Sequence, residues 1–212
     1  LMSGLAAFHG RFWQRTDLSE LPTQLDLTFT PEDIRGTYQA LADKAPVRLA
    51  ELGSWLTSAQ RQMISRLAEG GPELLARRVT DGPLTLVHGD ANSMNLVVPR
   101  DTEKGQALIL DWATYAQSFG PDDVATYLAP FWYPRLRRQL EIPALQAYHR
   151  GLLEGGVQDY TWDSCWDDYR LGIVSRMLYR LRQPPLADHI GLWILENTLA
   201  AFEELDCAEL LG

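Results

Sequence analysis

His88-Gly89-Asp90-Ala91-Asn92-Ser93-Met94-Asn95, followed by Leu108-Ile109-Leu110-Asp111-Trp112, decides how the rest of this chain is read. A β-type run, Leu84 to Val87, leads into His88, and Asp90 falls in the loop after it. Leu96-Val97-Val98 and Ala107 to Leu110 carry strand character, and the polar run Pro99 to Gly105 joins them as a turn. A hairpin brings its two ends together, so Asn95 at its start and Asp111 at its end can face one site.

That set of side chains suits phosphoryl transfer. An Asp near the acceptor orients the attacking hydroxyl and takes its proton late in a loose transition state. An amide oxygen and a second carboxylate suit Mg²⁺, a hard cation that completes its shell with phosphate and water. On this basis Asp90 is the candidate base, and Asn95 and Asp111 are the candidate metal ligands. Taken singly, each residue has a blander explanation. Asp after a strand is often a turn former, and Asn95 alone is compatible with a turn amide. Spacing, strand context and both ligands together make the phosphotransfer pattern.

Bulk properties narrow the function classes. The 212 residues suffice for one large domain or two small ones, with a sizeable core. Hydrophobic residues make up 46% of the chain, which excludes disorder. The net charge is −9 and the only lysines are Lys44 and Lys104, so nucleic acid is excluded as an expected partner. No signal peptide or apolar run of transmembrane length occurs, which predicts a cytoplasmic protein with no membrane partner. Cys165 and Cys207 match no metal spacing and read as buried free thiols.

Outside the motif the pattern is helical. Leu5, Phe8 and Phe12 share a face over residues 3–14. The stretch from Pro22 to Pro31 reads as a loop, with Thr30-Pro31-Glu32-Asp33 as a helix start running to about Asp43. Pro46 is expected to interrupt, and a further helix to span about Ser58 to Leu67. Gly70-Gly71-Pro72 is expected to end it, with a short helix to Arg78. Beyond Pro121, helices are predicted over about 122–132, 136–154, 163–182 and 188–208, broken at Gly155-Gly156 and Pro184-Pro185. The predicted fold class is therefore α+β, mostly α, with one small β-hairpin. The expected parts are a helical entry region (1–83), the motif hairpin (84–112) and a helical substrate-binding region (113–212).

These residues carry a family resemblance. VHGDANSMNLVV (87–98) resembles the catalytic loop of the aminoglycoside phosphotransferase and choline kinase-like superfamily. LILDWATYAQSFGPDDVATYL (108–128) resembles its metal-binding segment and following helix. Trp112, where protein kinases have Phe-Gly, is similar to the small-molecule branch. LAAFHGRFW (5–13) resembles the helix after the hinge, and residues 147–173 resemble the ecdysteroid-kinase-like subgroup. The resemblance implies the helical C-terminal lobe of a protein-kinase-like fold, using ATP or GTP with Mg²⁺ on a small-molecule hydroxyl. It also implies that His88 braces the loop, and that Asp123 bonds the loop backbone. Asp122 in that role, or both acids as helix N-terminal charges, stays open.

Two departures stand out. Ser93 and Met94 precede the Asn where many relatives have small or basic residues. No Gly-rich phosphate loop or strand Lys precedes His88, so an N-terminal lobe is expected to be absent from this chain. A chain lacking that lobe is expected to be inactive alone; the alternative is a non-catalytic, pseudokinase-like binding domain. For the acceptor, two patterns compete. Trp132, Tyr160, Trp162, Trp166, Tyr169 and Trp193 beside Asp163, Asp167, Asp168, Glu196, Glu203 and Glu204 suit an ammonium group. The same residues at helical spacing suit a core with a solvated face, and the subgroup likeness suits a hydrophobic alcohol. His149 and His189 have no partner at metal spacing.

Overall fold

The computed structural model describes residues 1–15, 31–101, 107–182 and 189–212. Among these the chain is mostly helical with two small antiparallel sheets. The elements are α1 (Met2–Phe12), α2 (Pro31–Ala42), α3 (Ala45–Leu52), α4 (Ser58–Asp81), β1 (Thr85–Val87), β2 (Leu96–Val97), β3 (Leu108–Ile109), β4 (Ala116–Ser118), α5 (Pro121–Leu128), α6 (Pro134–Glu154), α7 (Trp162–Arg180) and α8 (His189–Glu204). A 3-10 turn, Cys207–Leu211, follows. The expected loop over residues 22–30 and the Pro184-Pro185 break lie outside the described residues, as do residues 102–106 between β2 and β3.

The sheets position the motif. β2 pairs with β3, Leu96 opposite Ile109, and the Leu110 N–H extends the ladder to the Asn95 carbonyl at 2.8 Å. β1 pairs with β4, Thr85 opposite Ser118 and Val87 opposite Ala116. Sequence reading missed β4. Ala116-Gln117-Ser118 is short and has no apolar alternation, and only the β1 edge beside it makes it a strand.

Two helix boundaries correct the sequence expectations. Pro46 opens α3 from its first turn, where a missing N–H costs nothing. Gly70-Gly71-Pro72 does not end a helix, because α4 runs straight through it for 24 residues. Its start is secured by a capping box between Thr57 and Gln60. Ile64, Leu67, Gly71 and Leu75 form its buried stripe. Gly71 lies against α7, where an added Cβ would come within 3.1 Å of Leu178. An interior Pro costs about 3 kcal/mol and a Gly about 1; burial of this stripe between α2 and α7 offsets both.

The core is continuous. Tyr148 and Leu152 of α6, Ile173, Val174 and Met177 of α7, and Phe202 of α8 are buried together with Leu5 and Ala6 of α1. Arg137 is wholly buried, but Glu141 and Glu204 both accept from its guanidinium, which keeps the charge paired. Arg78 of α4 grips Asp168 of α7 through two nitrogens, one bond being 2.6 Å, and Tyr160 donates to the same carboxylate at 2.7 Å. No described helix is long and apolar enough to cross a membrane.

Candidate functional site

The loop from His88 to Asn95 is held from below by α5. Asp123 is fully buried and accepts the N–H of His88 at 2.7 Å and of Gly89 at 2.9 Å on its two oxygens. Its neighbour Asp122 turns the other way, to Arg176 of α7 at 3.0 Å. His9 of α1 meets Asp123 at 3.2 Å through one ring nitrogen and the Tyr148 hydroxyl at 2.8 Å through the other. Burial would raise the Asp123 pKa. The His9 contact and the two backbone N–H groups outweigh it and hold the carboxyl below its usual range. For Asp122 burial prevails over Arg176, with the Asp123 charge adding to it, and the pKa is raised.

Gly89 has φ +80°, and a Cβ there would lie 2.2 Å from the Thr114 carbonyl oxygen. Only glycine fits between His88 and Asp90, because the chain turns back against the segment after Asp111.

His88 is buried and spans the two halves of the motif. Its Nδ1 accepts the Asp90 N–H at 3.2 Å, and its Nε2 bonds the Leu110 carbonyl at 2.9 Å. Those two bonds assign the neutral Nε2–H form and tie the Asp90 loop to the residue before Asp111. Trp112 packs edge-on against His88, ring centres 4.5 Å apart, and against Phe8 of α1 at 4.9 Å.

The Asp90 carboxylate is clamped by two amides. Asn92 Nδ2 donates to Oδ1 at 2.8 Å and Asn95 Nδ2 to Oδ2 at 2.9 Å. Asn95 also reaches the Asp90 carbonyl at 3.0 Å. Asn92 itself is fixed by the Met94 N–H at 2.8 Å. The structure thus joins Asp90 and Asn95 directly, whereas Asp111 stands apart at the end of β3. Asp111 is exposed, with φ +61°, a left-handed conformation that Asp tolerates better than most residues. Its carboxylate caps nothing. Among the described residues nothing bonds Asn95 Oδ1 either, which leaves one amide oxygen and one carboxylate at this end of the hairpin. Such hard oxygens fit Mg²⁺ with phosphate and water completing the shell. Among the described residues no three His, Cys, Asp or Glu side chains gather as a metal cage.

Sequence reading passed over two residues of this network. His9 carried no signal, since its partners lie 114 and 139 residues away. Asn92 did carry one: an Asn two positions after an Asp in a turn is a ready Asx-type partner.

A cleft of about 490 Å³ opens beside Asp90. Tyr38 of α2, Asp122 of α5, Thr114 and β4, and Arg176, Tyr179 and Arg180 of α7 line it. None of the aromatic and acidic residues considered for an ammonium group does. Tyr160 and Tyr169 are core, and Trp132, Trp162 and Trp166 pack on it. Asp168 and Glu204 are consumed by arginines. His149 bonds the Tyr160 carbonyl at 2.8 Å, and His189 opens α8.

No curated protein matches the chain. The profile of the phosphotransferase enzyme family, APH, matches residues 5–165, three-quarters of its length, from α1 through both sheets to the start of α7. That span takes in the His88–Asn95 loop, Asp111 and Asp123, and the chain belongs to this kinase-like phosphotransferase family.

Proposed function

We propose that this chain is the helical lobe of a Mg²⁺-dependent phosphotransferase that moves the γ-phosphoryl of ATP, or GTP, to a hydroxyl of a small molecule. The observation that carries it is the Asp90 carboxylate, fixed by two amides at the edge of a cleft of substrate size. With an acceptor in the cleft, Asp90 accepts a hydrogen bond from the hydroxyl and orients its oxygen toward the γ-phosphorus. The new O–P bond forms as the bond to the β-phosphate oxygen breaks, ADP leaves, and the hydroxyl proton passes to Asp90. Asn95 and Asp111 are the residues that would hold the cation, which would supply charge neutralisation for the phosphate oxygens. His88 and Asp123 act by positioning the loop.

In this scheme residues 1–83 are the helical entry, 84–112 the catalytic hairpin and 113–212 the substrate side. Val97, Val98, Leu108 and Leu110 are exposed, an apolar face that a nucleotide and an N-terminal lobe would cover in this reading. Dependence on ATP and two buried thiols suit the cytoplasm. The ecdysteroid-kinase-like likeness adds no acceptor class, since the family match ends at residue 165 and describes the family as a whole.

The competing reading, a small-molecule binding domain without catalysis, draws on one observation: among the described residues no lysine lines the cleft. Release of ADP by the full-length protein separates the two. Phosphotransfer predicts acceptor-dependent, chelator-sensitive turnover that Asp90→Ala lowers by about 10²–10⁴ while nucleotide still binds. Unchanged turnover in Asp90→Ala removes the assigned base. Ligand binding indifferent to Mg²⁺, with no turnover, favours the binding domain.

A further inference from the structure

The cleft beside Asp90 holds one partly buried arginine that, among the described residues, no oxygen answers; Arg182, which also lines the cleft, is exposed. Arg176, Tyr179 and Arg180 follow one another at i, i+3 and i+4 on α7, so they share a face, and all three line the cleft. Arg176 is committed. It donates to both Asp122 oxygens at 3.0 and 3.2 Å and to the Gly89 carbonyl at 3.3 Å, and its guanidinium lies 4.5 Å from the Tyr179 ring centre. Arg180 is different. It is partly buried, yet among the described residues no oxygen accepts a hydrogen bond from it. Arg176 repels it and Asp90 attracts it; burial and Arg176 hold its pKa below the ordinary guanidinium value. It stays charged at neutral pH regardless.

Charge within the cleft follows from this. Its described cations are Arg176, Arg180 and Arg182, and its anions are Asp90 and Asp122. Asp122 answers Arg176, which leaves two arginines to one carboxylate, Asp90, among the described lining residues. A cationic acceptor at Asp90 would share the cleft with the like charge of Arg180. A carboxylate or phosphate would give that guanidinium the paired acceptor oxygens it lacks.

We propose that the acceptor is a hydroxyl compound bearing an anionic group, carboxylate or phosphate, which Arg180 holds while the hydroxyl meets Asp90. This rests on the phosphotransferase reading and sets its substrate class. Arg180 is a binding residue here, and Asp90 keeps the chemistry.

The test is calorimetric titration of the full-length protein with hydroxy acids, sugar acids and sugar phosphates against their neutral and amino counterparts. ADP release with MgATP is measured in parallel. The anionic members are expected to bind best. Arg180→Gln should weaken them roughly tenfold to a hundredfold, Arg180→Lys should recover part of that, and the KM for nucleotide should not move. Preference for amino or neutral members overturns the proposal, as does anion binding that Arg180→Gln leaves unchanged. A raised nucleotide KM with intact acceptor binding also overturns it, by giving Arg180 to the nucleotide phosphates. Failure of every anionic member to bind overturns it too. Transfer to neutral or amino members alone would reject the substrate class and keep phosphotransfer. Anions bound through Arg180 with no transfer to any member would support the site and count against phosphotransfer.

Discussion

The His9 ring of α1 meets the Asp123 carboxylate of α5 at 3.2 Å, both fully buried, across 114 residues of sequence. Through Asp123 the contact reaches the backbone N–H of His88 and Gly89, so the first helix supports the loop that presents Asp90. Asp123→Ala leaves His9 and two N–H groups without an acceptor. We expect a loss of about 3–5 kcal/mol, read by urea unfolding.

The same residue sets an acid limb of stability. The Asp123 pKa is lowered in the fold, beneath an unfolded value near ~3.9. Its contribution is therefore complete above that unfolded value and is lost as pH falls through the folded one. Asp122 works in the opposite sense, since its raised pKa favours the fold as pH falls. Unfolding free energies of Asp123→Asn and the parent, compared from about pH 6 to 3, should converge toward acid. A constant gap would show that Asp123 does not titrate with unfolding.

Asn92 is expected to govern turnover without touching the acceptor. Its amide fixes Asp90 Oδ1 at 2.8 Å while its own oxygen is held by Met94. Asn92→Ala frees the carboxylate to rotate, and misplacement on the ångström scale lowers kcat by about tenfold to a hundredfold. Asn92→Asp sets a second negative charge against Asp90 and should be worse. Steady-state kinetics with unchanged melting temperature would separate this from unfolding.

Gly89→Ala tests the turn. A left-handed conformation costs an L-residue about 1–2 kcal/mol, and the Cβ would also sit 2.2 Å from the Thr114 carbonyl oxygen. A total destabilisation above about 2 kcal/mol is expected in chemical denaturation. A near-neutral result would mean that the Asp111–Thr114 segment can retreat.

Cys165 and Cys207 are buried and free, and burial pushes both thiols up to about 12. Neither should react with a thiol reagent at neutral pH until the chain unfolds. Labelling that keeps pace with global unfolding in denaturant supports this; labelling of the native protein at the rate of a free thiol does not.

Long periodic helices were legible in the sequence. Residues 3–14, 136–154 and 163–182 each show an apolar stripe and end near glycine, proline or a polar run, and the structure has α1, α6 and α7 there. The β2–β3 hairpin was equally plain from its apolar runs and polar turn. Errors fell where local propensity and packing disagree. Gly70-Gly71-Pro72 is a stop signal in isolation, but in α4 Gly71 permits close approach of Leu178 of α7 and Gly70 lies beside Leu211 of the C-terminal turn. Tryptophan and acid at helical spacing allowed a ligand surface or a core with a solvated face; Trp132, Trp162 and Trp166 pack on the core, Asp168 and Glu204 pair with arginines, and Asp163, Asp167, Glu196 and Glu203 are exposed.

The sequence by itself determined the chemistry on offer: an Asp, an Asn and a second Asp in order, on a loop and a hairpin, because short-range spacing and turn residues dictate that arrangement. Only the tertiary structure decided which groups support it. His9, Asp123 and Tyr148 come from three helices, and their contact depends on how those helices pack. The charge of the cleft was decided there too. Whether an arginine is consumed by a carboxylate, as Arg176 is by Asp122, or has no acceptor among the described residues, as with Arg180, depends on which side chains burial brings within hydrogen-bond reach.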